Sequence, residues 1–222
     1  NIEQTNFEIY NAEDKIDYDA YFKLENVLKL IPESLIFKSV NLGELGDTVE
    51  AVVENNIVKS SKLYSYSSVT TVIIPKGTMS IGSSVFLNCS NLTDIVIPDS
   101  VTSIGVFSFS GCTNLTSIEI PNSVTDIGSE AFSGCTNLTS IEIPNSVTRL
   151  GGGAFEHCSN LETIKLSTSL INIEPYVFFN CGNLTNIELP NSLKSIGKKA
   201  FWGCADLTDI TIPDSVTSIG VF

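Results

Sequence analysis

Histidine, tryptophan and methionine each occur once in the 222 residues. One histidine cannot build the clusters of a His-rich metal site, and it needs carboxylate and nucleophile partners to act as a base. Positive charge is also scarce. Twelve Lys and Arg face 25 Asp and Glu, for a formal net charge of −13. The excess is even along the chain, with six lysines against twelve acids in residues 1–68 and six cations against thirteen acids thereafter. An acidic surface repels phosphate backbones, which argues against nucleic acid and anionic membranes as partners. Basic or neutral proteins and glycans remain candidates. No apolar run approaches the ~18 residues of a membrane span, and no secretory signal is visible. The first residue is Asn rather than Met, which reads as a processed or trimmed N-terminus, so the missing signal says nothing about export. Charged residues make up only 17% of the chain and apolar ones 42%, a balance that excludes disorder and supplies a sizeable core.

What the chain does have is a repeat. From Val69 onward the sequence returns every 23 residues without insertion or deletion, at Val69, Leu92, Leu115, Leu138, Leu161, Leu184 and Leu207. One copy, Leu115 to Asn137, reads LTSIEIPNSVTDIGSEAFSGCTN. Positions 4 and 6 are apolar throughout, as in Ile118 and Ile120, around a variable position 5. This alternation predicts a short strand with one face inward. Pro follows in six of seven copies and ends the ladder, because it has no N–H to donate. Position 10 and position 13 add a second inward segment, and the Gly at position 14 predicts a turn of positive φ. Position 18 is Phe in every complete copy, which places one large aromatic in the middle of each coil. Stacked coils would turn these positions into continuous ladders at ~4.8 Å, so that seven coils span roughly 30 Å.

All six cysteines fall at position 21: Cys89, Cys112, Cys135, Cys158, Cys181 and Cys204. No tight pair with the two-to-four-residue gap of zinc sites occurs. Parallel Cβ vectors on neighbouring rungs disfavour disulfides. The ladder therefore reads as buried free thiols, which leaves the redox compartment open.

The pattern LTxIxIPxSVTxIGxxAFxGCxN resembles the BspA-like, Treponema-type leucine-rich repeats, over the whole of residues 69–222. The resemblance implies an α/β-type repeat solenoid, a right-handed superhelix with short parallel strands on its concave face. It also implies a surface-exposed or secreted protein that binds host or extracellular-matrix proteins or mediates cell contacts. Departures are few: Ser167 and Glu174 replace the Pro and Gly of the fifth copy, and Lys76-Gly77-Thr78-Met79 breaks the first turn. The last copy stops at Phe222, inside a repeat and without a polar cap, which reads as a protein that continues further.

Residues 1–49 lack the period and form a flanking region. Within it, 19–31 has apolar residues at helical spacing between Asp19 and Pro32, which predicts a short helix. Residues 50–68 contain short β-like runs and read as a capping hairpin, and 69–222 are the repeats.

Catalytic sets do not assemble. His157 stands at position 20, where other copies have Gly or Asn, and reads as a surface variant. Ser195-Ile196-Gly197-Lys198 fits S-x-x-K without the partner motifs of that chemistry, and Gly151-Gly152-Gly153 is no nucleotide loop. Four N-x-T sequons, at Asn91, Asn114, Asn137 and Asn183, follow from the repeat itself. No enzyme, metal or cofactor is expected.

Binding should then sit at exposed variable positions. One candidate is the strand face, where position 5 carries Glu119, Glu142, Lys165 and Glu188; its bland reading is a solvated face that keeps the sheet soluble. A sharper one is positions 15, 16, 19 and 20, mostly small or polar, which become Tyr176 and Phe179 in the fifth copy and Lys198, Lys199 and Trp202 in the sixth. Aromatics beside lysines are typical of binding hot spots; the alternative is that they pack on one another, on a further C-terminal part of the protein, or in a dimer. The expected function is a cell-surface or secreted protein-binding module, adhesin-like, with a structural or self-associating spacer as the alternative. The non-catalytic part of a larger enzyme is a third.

Overall fold

The structure, a computed structural model, describes residues 70–74 and 76–221, with strand pieces at 48–50, 53–54 and 57–58. The expected helix at 19–31 lies outside the described residues. The strands, in chain order, begin with β1 (Thr48–Glu50), β2 (Val53–Glu54), β3 (Ile57–Val58), β4 (Thr71–Ile73) and β5 (Ser80–Ile81). They continue through β6 (Asp94–Val96), β7 (Ser103–Ile104), β8 (Asp126–Ile127), β9 (Ser140–Glu142) and β10 (Arg149–Leu150). The last are β11 (Thr163–Lys165), β12 (Asn172–Ile173), β13 (Asn186–Ile187), β14 (Ser195–Ile196) and β15 (Ser218–Ile219).

Two parallel ladders run along the stack, each pairing a residue with its equivalent one period on. The first ladder holds positions 3 to 5, as β1–β4–β6 and, further along, β9–β11–β13, with Ile141 opposite Ile164 and Ile164 opposite Ile187. The third repeat forms no strand at 117–119, so this ladder is interrupted there. The second ladder holds positions 12 and 13. It runs from the antiparallel hairpin β2–β3 through β5, β7, β8 and β10, and resumes as β12–β14–β15.

No helix occurs among the described residues, so the helical half of an α/β solenoid is not found there. Positions 15 to 20 are successive tight turns instead. The backbone explains why. N–H groups at positions 16, 18 and 20 donate forward to the next coil, as Phe107 to Ser129, Phe109 to Ala131 and Gly111 to Ser133 at 2.8–3.0 Å. The intervening groups reach back three residues, as Ser110 to Phe107 and Cys112 to Phe109 at 3.1–3.2 Å. Positions 16 and 20 are left-handed in all six complete repeats. A continuous helix allows neither pattern.

The core follows the repeat. Phe86, Phe109, Phe132, Phe155 and Phe178 are fully buried and stack ring on ring at 5.1–6.0 Å. Each buried aromatic contributes on the order of 2–3 kcal/mol. The thiol ladder is free and buried, with Cys204 of the end coil only partly so. Each Sγ from Cys112 to Cys204 donates to the carbonyl of the Phe in the coil before, at 3.1–3.2 Å. That contact explains a cysteine there rather than an alanine: the small apolar volume carries one weak donor.

The position-14 glycines do not have positive φ, contrary to the sequence expectation. They are required for close approach. A Cβ on Gly105, Gly128, Gly151, Gly197 or Gly220 would lie within 3 Å of backbone atoms of the preceding coil. The one non-glycine, Glu174, coincides with a fault. The bond from the position-14 N–H to the position-13 carbonyl of the coil before recurs at Gly105, Gly128, Gly151, Gly197 and Gly220, at 2.7–2.8 Å, and is absent at Glu174 among the described residues. There the second ladder breaks between β10 and β12, and the Phe155–Phe178 spacing of 6.0 Å is the widest of the stack. The first ladder crosses the same boundary intact, through β9 and β11.

Candidate interaction surface

The strand face presents position 5 to solvent. Glu119, Glu142, Lys165 and Glu188 are all exposed. Lys165 Nζ donates to Glu142 Oε1 at 2.6 Å across β11 and β9. Such an exposed pair is worth less than about 1 kcal/mol. Glu119, Glu142 and Lys165, with Ser117, Ser140 and Thr163, line an open depression of about 660 Å³ at the interrupted rung, and Glu188 lies outside it.

The turn face of repeats four to six differs from the rest of the solenoid. Backbone bonds fix its register: Tyr176 N–H to Lys198 O at 3.0 Å, His157 N–H to Phe179 O at 2.8 Å and Asn180 N–H to Trp202 O at 2.7 Å. These bonds set the fourth, fifth and sixth coils in line. Tyr176 and Phe179 meet edge to face at 5.7 Å. His157 packs edge-on against Phe179 at 5.6 Å, and its Nδ1 lies 3.4 Å from Asn180 Nδ2. Its Nε2 approaches Glu156 at 3.4 Å. Lys199 Nζ sits 4.9 Å from the centroid of Trp202, a cation–π contact, and Trp202 remains 47% exposed. Lys198 is exposed beside them.

The five residues read from the sequence as the aromatic and lysine patch therefore lie on adjacent rungs of one face, partly packed on each other. One neighbour of this candidate patch was not read as part of it from the sequence. His157 extends the aromatic row, and the signal for it was its position. Position 20 demands a left-handed backbone, and Asn, Gly and His are the residues found there. On the neighbouring third and fourth repeats, burial and then the nearby Glu156 push the Glu130 carboxyl above its ordinary value.

Among the described residues no group of His, Cys, Asp and Glu could hold a metal ion, and no helix is long and apolar enough to cross a membrane.

Comparison with known proteins places these coils. The model of the BspA type leucine rich repeat region matches residues 56–181 and 102–222, in six copies. The chain is similar to the solved leucine rich repeat protein of T. pallidum, at 31% identity and TM-score 0.67, over 74% of this chain and 79% of that one. It is also similar to a leucine-rich repeat protein from Bacteroides ovatus, at 31% identity and TM-score 0.61, over 83% of this chain and 55% of that one. A leucine rich cell surface protein from Faecalibacterium prausnitzii shows 32% identity and TM-score 0.60, over 85% of this chain and 46% of that one. The chain thus spans about half the length of the last two. No curated protein matches.

Proposed function

The chain belongs to the BspA-type leucine-rich repeat family, and from that premise we propose that it is a protein-binding module acting at a cell surface or outside the cell, adhesin-like, through the turn face of repeats four to six. Solenoids of this kind use extended surfaces for binding, and one similar structure is that of a cell surface protein. In this reading the coil path is right-handed and the strand face concave. The carrying observation is local. The scaffold asks for a left-handed backbone at positions 16 and 20 but for no large side chain at 15, 16, 19 or 20, yet there three rungs in succession place His157, Tyr176, Phe179 and Trp202 on one face with Lys199. Exposed Trp202 and His157 beside half-buried Tyr176 and Phe179, at positions that most copies fill with small or polar residues, are the raw material of a hot spot. The acidic strand face is the secondary surface.

A spacer without ligand is the competing reading, favoured by the unbroken forward bonds along positions 16, 18 and 20. The two differ in their dependence on surface side chains. Binding of the chain to immobilised extracellular-matrix proteins and glycans should be saturable and weakened at least tenfold by Trp202→Ala, and unaffected by Glu119→Ala with Glu188→Ala. Loss through the glutamates alone would move the site to the strand face. Absence of binding across the panel would favour the spacer.

A further inference from the structure

We infer that the turn face of repeats five and six receives an acidic polypeptide segment, whose carboxylates meet Lys198 and Lys199 and whose apolar side chains lie on Trp202 and Tyr176; this rests on the reading of that face as the binding site. The basis is charge complementarity. Cations of the repeats are few, and the two on the sheets are already neutralised: Arg149 pairs with Asp126 at 2.9 Å and Lys165 with Glu142 at 2.6 Å. Lys194, Lys198 and Lys199 of the sixth repeat have no carboxylate partner among the described residues. Glu174, on the coil below, pairs with none of them. Three unpaired lysines in six residues are thus the one cationic cluster of the described repeats in a chain of net charge −13.

One of the two lysine side chains is also held in place. The Lys198 backbone is fixed by its carbonyl, which accepts from Tyr176 N–H, and the Lys199 ammonium lies over the Trp202 ring. A cation already resting on an aromatic face loses less freedom when it takes a carboxylate. The same contact narrows the flat platform on which a sugar ring would stack, which favours a polypeptide over an anionic glycan. The overall negative charge opposes an acidic partner at long range, but at physiological ionic strength the screening length is about 8 Å. Local lysines then prevail over distant acids. Affinity should therefore peak at intermediate salt: at low salt the whole chain repels the segment, and at high salt the lysine contacts weaken.

Trp202 is the sole tryptophan, so its emission reports on this face alone. The full chain is titrated with a Glu-rich peptide containing two leucines, with the same peptide carrying Gln or Lys for Glu, and with a sulfated glycan. The Glu peptide is expected to shift the emission saturably, and Lys198→Glu with Lys199→Glu to weaken it at least tenfold, while the Lys peptide has no effect. Equal binding of the Gln or Lys peptide, indifferent to the lysine reversal, would keep the face as a site but overturn the acidic partner. Response to the glycan alone would also overturn it. If no peptide changes the emission, the inference fails by itself, because the matrix-panel experiment tests the site without it.

Discussion

At the residue scale, the 23-residue period specifies chemistry position by position, and the positions divide into those whose role could be read from the residue type and those whose role could not. Phe at position 18 was legible because a large apolar side chain at constant spacing has only the core to occupy. Cys at position 21 was legible as a buried thiol for the same reason, though not its hydrogen bond to the carbonyl of the coil before. The glycine of position 14 was misread, because glycine serves both positive φ and close approach, and only coordinates distinguish them. The left-handed position 16 was hidden altogether: Ser84, Phe107, Glu130, Tyr176 and Lys199 adopt φ of 52–62° there without any residue signature.

Three outcomes follow at this scale. Gly128→Ala should cost about 2 kcal/mol in denaturant unfolding, since its Cβ would press on the Gly105–Val106 backbone. His157→Val should destabilise by about 1 kcal/mol while His157→Gly stays near neutral, because φ is 61° there. The thiols give a pH dependence. Burial pushes all of them up, Cys89 and Cys204 to about 11, from an ordinary 9.0. A raised folded pKa means that the unfolded chain releases its protons first. This contribution is therefore complete below pH 9 and is lost as pH rises toward 11 and beyond. Unfolding free energy should fall between pH 9 and 11, less steeply for Cys89→Ala with Cys204→Ala; a flat profile would count against burial of the ladder.

At the element scale, the fifth repeat is where the pattern fails and the structure opens. Glu174 brings a Cβ to a site that is otherwise glycine, and the second ladder parts beside it while the first continues. The sequence marked the two departures, Ser167 and Glu174, but not their different consequences. Ser167 is fully buried and donates to Val147 O at 2.6 Å, replacing proline without loss of contact. Glu174 loses a backbone bond. Amide exchange should accordingly be faster at residue 174 than at Gly151 or Gly197, and Glu174→Gly should bring it to their level. Unchanged exchange in that variant would show that the fault has another cause.

At the scale of the whole molecule, six complete coils, with the truncated seventh packed against their end, share one core whose stability is close to a sum of neighbouring contacts. The periodic part of the chain made the stack readable, including strands at positions 3 to 5 and the inward second segment. The helical segment implied by the family resemblance does not occur among the described residues, because alternate N–H groups bond outward to the next coil. The candidate surface was readable only as a departure from the period: Tyr176, Phe179 and Trp202 gather on adjacent copies at positions that are mostly small or polar elsewhere, Phe107 and Leu87 apart, whereas His157 required the left-handed turn to explain why it faces Phe179. Scaffold and surface are thus carried by different positions of the same repeat.

That separation is tested most directly by measuring matrix-protein binding and thermal unfolding together for the Tyr176→Ala, Phe179→Ala, Trp202→Ala triple variant. Binding should fall at least a hundredfold, with unfolding shifted by only a few degrees, because these side chains lie outside the Phe stack. Binding that survives the triple substitution, or a collapse of the fold along with it, would contradict the assignment of this surface to recognition.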